Sequence, residues 1–451
     1  MRQSLVMVLL ALFYASSVHV VWAQKSDTVP TSFSMEEAVN YAMMHNKEVT
    51  IADLNEAISN MQTKEFVSQG LPQINGSAQL DYNFELMTMG TDENGNPIQF
   101  GSEYGGQAGI SLSQMLFDGS FLVGLKASRT YQDLAIKQTT QQKIDIVEQV
   151  QKAYFLALVN EENREAIQRN YDRLKQLLYE TEEMYKNGFA EKIDVQRIRV
   201  NYNSVVLQLE QNKQEIELAY MLLKFQMGYN IDTEIQLKDH LSDQHLNETL
   251  MTSDMQYAYQ NRIEYDILNT QFTLKELERK ENNFQYMPKL NLVANYGWAN
   301  FGDDFGAYWT SANWFPNGSV GVKMTVPIFD GLLKSRKSQR MKLEMQQIST
   351  QKDLMKDNVA VEVKKAADQL STSLKALQIY EDNMGLAKEV YEHSLAKYQE
   401  GIGSNLEVIE ADGSYKDAQD EYYSSLYNAL VAQIALQKAN GTLYHVAPES
   451  E

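Results

Sequence analysis

The chain has 451 residues, a formal net charge of −20 and no cysteine. This acidity argues against a nucleic-acid partner, because phosphate binding needs clustered Lys and Arg. The lack of thiols excludes disulfides and a lipid-bearing N-terminal cysteine. After the N-terminus, no segment reaches the run of ~18 apolar residues that a transmembrane helix needs.

The first 23 residues have the pattern of a secretory signal. Arg2 provides a positive start, residues 5–14 are apolar, and Val21-Trp22-Ala23 has the small-residue form of a cleavage site. The apolar run is too short and too close to the N-terminus for a membrane helix. The pattern therefore predicts export and cleavage after Ala23.

The rest of the chain is internally duplicated. The Phe-Asp-Gly motif at 117–119 recurs at 329–331, and the Tyr-x-x-Gly motif at 185–188 recurs at 398–401. Each half runs from a helical segment through two alternating strands to a very long helical run, a glycine tip and another helical run. Such repeats identify an architecture more reliably than local propensities do. The predicted divisions are a first structural repeat over 24–228, a linker over 229–253, a second repeat over 254–440 and a tail over 441–451.

Four segments alternate between apolar and polar residues, near 72–84, 105–117, 288–298 and 318–329. This period predicts strands with one apolar and one polar face. A soluble sheet half-buried on a core and a transmembrane barrel are both compatible with it. Strand length, aromatic residues near the loop ends and polar connecting loops favour the barrel.

Four strands cannot close a membrane barrel, because such barrels begin at ~8 strands. Other copies of the chain must complete the sheet, with eight strands in a dimer or twelve in a trimer. The polar faces are rich in Asn, Gln and Ser, which suits a water-filled lumen and favours the trimer. Asp81 and Lys323 are charged residues on these faces and are expected to line the lumen.

The helical runs from 119 to 188 and from 332 to 398 contain no proline and one internal glycine each. Apolar residues recur in them at alternating spacings of three and four, which is typical of coiled coils. A soluble helical bundle would show the same periodicity. Each run ends at a glycine and resumes within about six residues, which predicts helical hairpins. The tips at 187–193 and 400–406 are expected to bind a partner through Gly188, Phe189, Ala190, Gly401, Ile402 and Gly403.

Together these motifs resemble the TolC-like outer-membrane efflux and secretion channels over essentially the whole mature chain. The resemblance rests on the Met-Glu-Glu-Ala run at 35–38, the Leu71-Pro72 strand entry, both Phe-Asp-Gly motifs and both Tyr-x-x-Gly tips. It implies a mixed α and β fold. Four strands per chain would contribute to a trimeric, twelve-stranded transmembrane β-barrel, continued by coiled-coil helices that form a periplasmic α-barrel.

The resemblance also implies a function. The chain would be the outer-membrane channel of a tripartite efflux or type I secretion system in a Gram-negative bacterium, a passive duct for small molecules or proteins. The implied partners are two further copies in a homotrimer, a periplasmic adaptor protein, an inner-membrane pump of the RND or ABC class, and outer-membrane lipid.

In this family acidic rings narrow the periplasmic end of the tunnel, and the matching residues here are Glu407 and Glu410. They are three residues apart and share a helix face. Acidic residues at a helix start also simply favour the helix dipole. The chain has Gly403 where the family has a linking basic residue, so Asp194 and Arg197 are candidates for an alternative link.

No catalytic set, phosphate-binding loop or metal-ligand spacing is recognisable, and we predict neither enzyme activity nor a cofactor. Two other interpretations remain. One is a trimeric structural or adhesive surface protein with a coiled-coil stalk, which would not need the duplicated strand ribbons and hairpins. The other is an exported helical enzyme, which lacks an identifiable site.

Overall fold

The computed structural model of the protein describes residues 30–95, 97–241, 246 and 258–444. The predicted signal segment over 1–23 lies outside these ranges, as do most of the linker after 241 and the tail after 444. The strands are β1 Ser32–Phe33, β2 Gln73–Tyr82, β3 Met87–Thr91, β4 Pro97–Phe100, β5 Tyr104–Phe117, β6 Gln236–Leu237, β7 Lys289–Gly302 and β8 Trp314–Thr325. The α-helices are α1 Met35–His45, α2 Lys47–Ser68, α3 Gly119–Lys186, α4 Lys192–Met227, α5 Ile263–Phe284, α6 Leu333–Gln399 and α7 Asn405–Ala439.

The long strands form one antiparallel sheet in the order β2-β5-β7-β8. The pairing of β5 with β7 joins the two repeats, with Ala108 opposite Trp298. Strands β2 and β8 are the two edges of the sheet. Strand β8 ends at Thr325, before the predicted end near 329, and the next residues include Pro327, which cannot donate to a ladder.

The connection over 85–104, which was expected to be a polar loop, includes regular structure. It contains the short antiparallel ribbon of β3 and β4, with Met87 opposite Phe100. Both side chains are exposed. Alternation over only four or five residues, interrupted by Gly90 and Gly95, was too short to be recognised as a strand pair.

Below the sheet, the helices keep the order of the strands to which they connect. Helix α2 packs on α3, α3 on α5, and α5 on α6. Further down, α3 and α4 form one hairpin and α6 and α7 form the other, and α7 also packs on α3. The sheet and both hairpins are therefore parts of one continuous body.

The Phe-Asp-Gly motifs mark the turns from strand to helix. Asp118 accepts hydrogen bonds from the backbone N–H groups of Ser120 at 2.9 Å and Phe121 at 3.4 Å, and it pairs with Lys289 at 2.7 Å. Asp330 accepts from the N–H of Lys334 at 3.1 Å and pairs with its Nζ at 3.0 Å. Asp118 thus caps α3, whereas Asp330 accepts from an N–H group in the first turn of α6, whose N-cap residue is Leu332.

The helical segment at the start of the first repeat is two helices rather than one. Asn46 separates them with an extended backbone. Its side chain caps α2 by accepting from the N–H of Glu48 at 2.7 Å, and it donates to the carbonyl of Gln226 at 2.6 Å. The break comes from this tertiary bond to the end of α4.

The two larger apolar cores among the described residues lie at different levels of the helical part. One lies in the middle of the molecule, where Tyr154 is fully buried and donates to the carbonyl of Phe33 at 3.1 Å and to Asp239 at 2.9 Å. The other lies where the two hairpins meet towards their tips, and its buried members are Ile167, Leu174, Leu177, Ile198, Val205, Tyr391, Tyr398, Val408, Ala411 and Tyr415.

Candidate functional site

The polar face of the sheet carries a shallow cavity of about 360 Å³. Its polar lining comes from all four long strands: Ser77, Gln107, Ser111, Asn295 and Asn317. Asp81 is on this same alternation opposite Gly105, near the long loops, and Lys323 lies opposite Asn291, near the helices. The two predicted lumen charges are thus at opposite ends of the polar face.

The two helical tips have the same backbone structure. The N–H of Phe189 donates to the carbonyl of Met184 at 2.8 Å, and the N–H of Ile402 donates to the carbonyl of Lys397 at 3.0 Å. Gly188 and Gly401 have φ values of 80° and 74°. These bonds and angles are those of a Schellman ending, which requires a left-handed residue.

Each tip presents one large apolar side chain to solvent. Phe189 is 80% exposed and Ile402 is 76% exposed, and they follow the two left-handed glycines directly. Ala190 and Gly403 are half-buried beside them. The two tips thus present matching exposed apolar side chains in both repeats.

Gly403 is required by its surroundings. Its N–H donates to the carbonyl of Lys397 at 3.0 Å, and a Cβ atom there would lie 2.8 Å from Lys397 Cβ and 3.0 Å from the backbone nitrogen of Tyr398. A basic side chain at this position would force the turn to shift. The geometry of the turn therefore accounts for the glycine at this position, where the TolC-like channels that the chain resembles have a linking basic residue.

The predicted gate residues lie on the first turns of α7. The Oγ of Ser404 accepts from the N–H of Glu407 at 3.2 Å and caps the helix. The side chains of Glu407 and Glu410 are exposed, and within the described part of the protomer neither forms an ion pair. These two residues begin an exposed polar stripe on α7, and only its first two members were predicted. Its spacing of three and four continues at Ser414, Asp417, Glu421 and Ser424.

Asp194 and Arg197 do not form the alternative side-chain link within a protomer. The carboxylate of Asp194 accepts from the N–H of Glu191 at 3.1 Å, so it closes the capping box of its own helix. Its carbonyl oxygen accepts from the side chain of Asn405 at 3.1 Å, and this bond joins the two tips. Arg197 is exposed and makes no bond to Glu407 or Glu410 in the described chain.

Sequence reasoning missed the side chains that connect the hairpins above the tips. The hydroxyl groups of Thr181 and Tyr398 lie 3.3 Å apart, and Gln399 donates to Glu180 at 3.4 Å. Nothing in a single sequence pairs residues more than 200 positions apart. The available signal for these contacts was the duplicated motifs, which predict that both hairpins end at the same level of the molecule.

A buried carboxyl group lies in the same region. Asp412 is 1% exposed, and one of its oxygens accepts from Asn201 at 2.9 Å while the other has no partner among the described residues. Burial raises the pKa of Asp412. Nearby, the guanidinium group of Arg173 lies over the rings of Tyr391 and Tyr415, at 5.3 and 5.5 Å.

None of the helices within the described ranges is long and apolar enough to cross a lipid bilayer. No group of three or more His, Asp or Glu side chains in the same ranges is arranged to hold a metal ion.

Comparison with known proteins identifies a family that the chain matches. The profile of the outer membrane efflux protein family matches residues 41–228 and 279–442. The chain is 23% identical over 347 residues to the outer membrane protein TolC of Vibrio cholerae. This alignment covers 74% of this chain and 76% of that protein. It is 21% identical over 339 residues to the alkaline protease secretion protein AprF of Pseudomonas aeruginosa, spanning 74% and 69%.

Solved structures show the same fold. The outer membrane protein VceC of Vibrio cholerae superposes with a TM-score of 0.71 at 16% identity, covering 90% of this chain and 96% of that chain. The CmeC outer membrane channel of Campylobacter jejuni superposes with a TM-score of 0.70 at 17% identity, covering 91% and 86%.

Proposed function

Because the chain belongs to the outer membrane efflux protein family, and is an outer-membrane efflux or secretion channel with a periplasmic extension, we propose how it assembles and which residues it uses. Three copies form one duct. The helical tips bind a periplasmic adaptor protein, which connects the duct to an inner-membrane pump of the RND or ABC class. Glu407 and Glu410 line the constriction at the tip.

The sheet supports closure by further copies. Its edge strands β2 and β8 have one unpaired side each in the protomer. Because the sheet has four antiparallel strands, β8 of one copy and β2 of the next run in opposite directions and can pair. Three copies give an even, twelve-stranded ring, as antiparallel closure requires.

The helices support the same assembly. The outer helix α2 exposes Ile51, Leu54, Ile58 and Met61, spaced by three and four residues. At the opposite side, α6 exposes Leu343, Leu354 and Val361, separated by eleven and seven residues. Exposed apolar seams with this period are unstable in water and pack against another helix. We propose that α6 of one copy packs on α2 of the next.

We predict that the mature protein, cleaved after Ala23, is a heat-sensitive trimer in outer-membrane extracts. Unheated samples should migrate at about three times the single-chain mass on denaturing gels, because closed ladders resist detergent. Native mass measurement in mild detergent gives the stoichiometry directly. A single-chain mass in that measurement would contradict trimer closure.

The adaptor site is proposed from the tips. Phe189 and Ile402 are exposed at the far end of both hairpins, away from the sheet, and both tips have the same backbone structure. A ring of three chains would present six such ends. This repetition is the observation that carries the proposal, because a stalk or an enzyme would not need matched exposed apolar residues at both tips.

We predict that Gly188→Val and Gly401→Val each weaken adaptor capture about tenfold, because a branched side chain at positive φ costs roughly 1–2 kcal/mol and distorts the tip. The trimer should stay assembled. Binding of the purified adaptor to detergent-solubilised protein measures the change, and co-purification from crosslinked envelopes identifies the pump. Gly385→Val is the matched control, since Gly385 lies in an ordinary helical turn with open space around it. Equal adaptor binding by all three variants would exclude the tips as the site.

A further inference from the structure

The turn between β8 and α6 concentrates exposed apolar residues. Ile328 is 96% exposed and Phe329 is 81% exposed, and Leu332 and Leu333 are both more than half exposed. Ile328 continues the apolar alternation of β8 after Val322 and Met324. Val322 and Met324 lie on the face of the sheet opposite the polar cavity, the face that meets lipid in an outer-membrane channel, and Ile328 follows three residues after the end of β8.

Leu332 has a strained backbone. Its φ is 68°, and it is the one non-glycine residue with positive φ in the described part of the chain. Glycine would adopt this conformation without steric cost. A residue retained in a strained conformation, with its side chain exposed, points to a use for that side chain.

A basic segment follows the turn directly. Residues 333–342 contain five basic residues and no acidic residue, in a chain whose net charge is −20. Lys334 is engaged by Asp330, and Arg340 pairs with Glu344 at 2.7 Å. Arg336 and Lys337 are exposed and form no ion pair with a described residue.

The first repeat provides an internal comparison. The residues 212 positions earlier than Leu332, Arg336, Lys337 and Arg340 are Ser120, Gly124, Leu125 and Ser128. The strand-to-helix turn itself can thus be built without the leucine and without the charges. These features of the second repeat are additions to the turn rather than requirements of it.

We propose that residues 328–340 form a membrane-interface anchor in which Ile328, Phe329 and Leu332 enter the acyl boundary of the periplasmic leaflet while Arg336, Lys337 and Arg340 bind the headgroups of anionic phospholipids. Apolar residues beside clustered Lys and Arg are the pattern by which segments lie at an anionic membrane surface. Continuity with the lipid-facing side of β8 and the local positive charge both favour lipid as the occupant. The inference depends only on the membrane location and not on the adaptor proposal.

Lipid selectivity tests the basic part. Purified full-length protein is incubated with equimolar phosphatidylglycerol and phosphatidylcholine of the same acyl chains, and retained lipid is counted by native mass spectrometry. Wild type should retain phosphatidylglycerol with about tenfold preference, which the triple variant Arg336→Gln, Lys337→Gln, Arg340→Gln should lose. The control Lys126→Gln, Arg129→Gln, in the first repeat, should keep it. An unchanged preference in the triple variant would overturn the proposal.

The apolar part is tested independently of the charges. The chain has no cysteine, so Phe329→Cys gives a single site for a nitroxide spin label in reconstituted vesicles. The label should be relaxed several-fold more by oxygen, which partitions into lipid, than by a water-soluble nickel chelate. Greater relaxation by the chelate would place the turn in water, and shielding from both reagents would assign it to contact with a neighbouring copy. Either result would refute the anchor.

Discussion

Arg262→Ala is expected to lower the free energy of unfolding by about 2–3 kcal/mol, because it removes a buried group with several hydrogen bonds to charged partners. The loss is limited because the side chains of Glu264 and Glu362 are 25% and 46% exposed and can be solvated in the variant. Arg262 is 6% exposed. Its guanidinium group donates to both carboxylate oxygens of Glu264 at 3.0 Å, to Glu362 at 3.0 Å and to the carbonyl of Ala439 at 3.2 Å. It therefore joins the start of α5 to the middle of α6 and the end of α7.

The variant should also respond differently to acid. Burial raises the pKa of Glu264, but the hydrogen bonds from Arg262 outweigh that effect and lower the pKa below its ordinary value of 4.5. A carboxyl group with a lowered pKa stabilises the folded state above its unfolded pKa, and this stabilisation is lost as the pH falls through the folded value. Wild type should lose more stability than Arg262→Ala between neutral pH and pH below about 4.5.

Thermal unfolding of the detergent-solubilised protein, followed by helical circular dichroism, measures both effects. Arg169→Ala is the matched control, because Arg169 pairs with Glu165 at 3.5 Å on the exposed face of α3. Such surface pairs contribute about 0–1 kcal/mol. Similar midpoints for the two variants would show that the buried arginine does not hold the three helices together.

Replacing both Glu407 and Glu410 with Gln is expected to reduce the cation-to-anion permeability ratio of the assembled channel by about tenfold, because a ring of like charges concentrates counter-ions at a narrow entrance. Block by divalent cations should weaken in parallel, since carboxylate oxygens are their ligands. Assembly should change by less than ~1 kcal/mol, because both side chains are exposed at a helix start. Single-channel recordings in planar bilayers provide the measurement.

The competing location for selectivity is the polar face of the sheet. Asp81→Asn and Lys323→Gln are the corresponding variants there, and both side chains belong to the cavity-bearing face. If Asp81→Asn alters selectivity while the double glutamine variant behaves as wild type, the constriction is not at the tip and the gate proposal is wrong.

The sequence alone predicted the elements whose residues recur at a fixed spacing. Alternation placed the four long strands, and the glycines expected to end the long helices, Gly188 and Gly401, have the positive φ values typical of such ends. The repeated Phe-Asp-Gly motif predicted the start of each long helix, where Asp118 caps α3 and Asp330 accepts from the N–H of Lys334 in α6. Local periodicity carries this information because neighbouring residues on one strand or helix share one environment.

Features that depend on distant partners could not be derived in this way. Asn46 ends a helix because Gln226 accepts its amide, and Asn405 joins the tips through the carbonyl of Asp194. Nothing in the sequence around Arg262 indicates that its partners include Glu362 and Ala439. In each case one polar side chain satisfies a backbone or charged group from another part of the chain, and a single sequence does not encode such a pairing visibly.

The ladder between β5 and β7 joins the two repeats inside one chain, and in a closed ring of three chains it would alternate with the ladder between β8 and β2 of the next copy. Every second ribbon joint is then formed within a single chain. Only the other joints depend on encounters between free protomers. A ring made from unduplicated halves would require six chains to meet. The duplication halves the number of joints that must form between separate chains, from six to three. It also leaves the two classes of joint free to diverge in sequence.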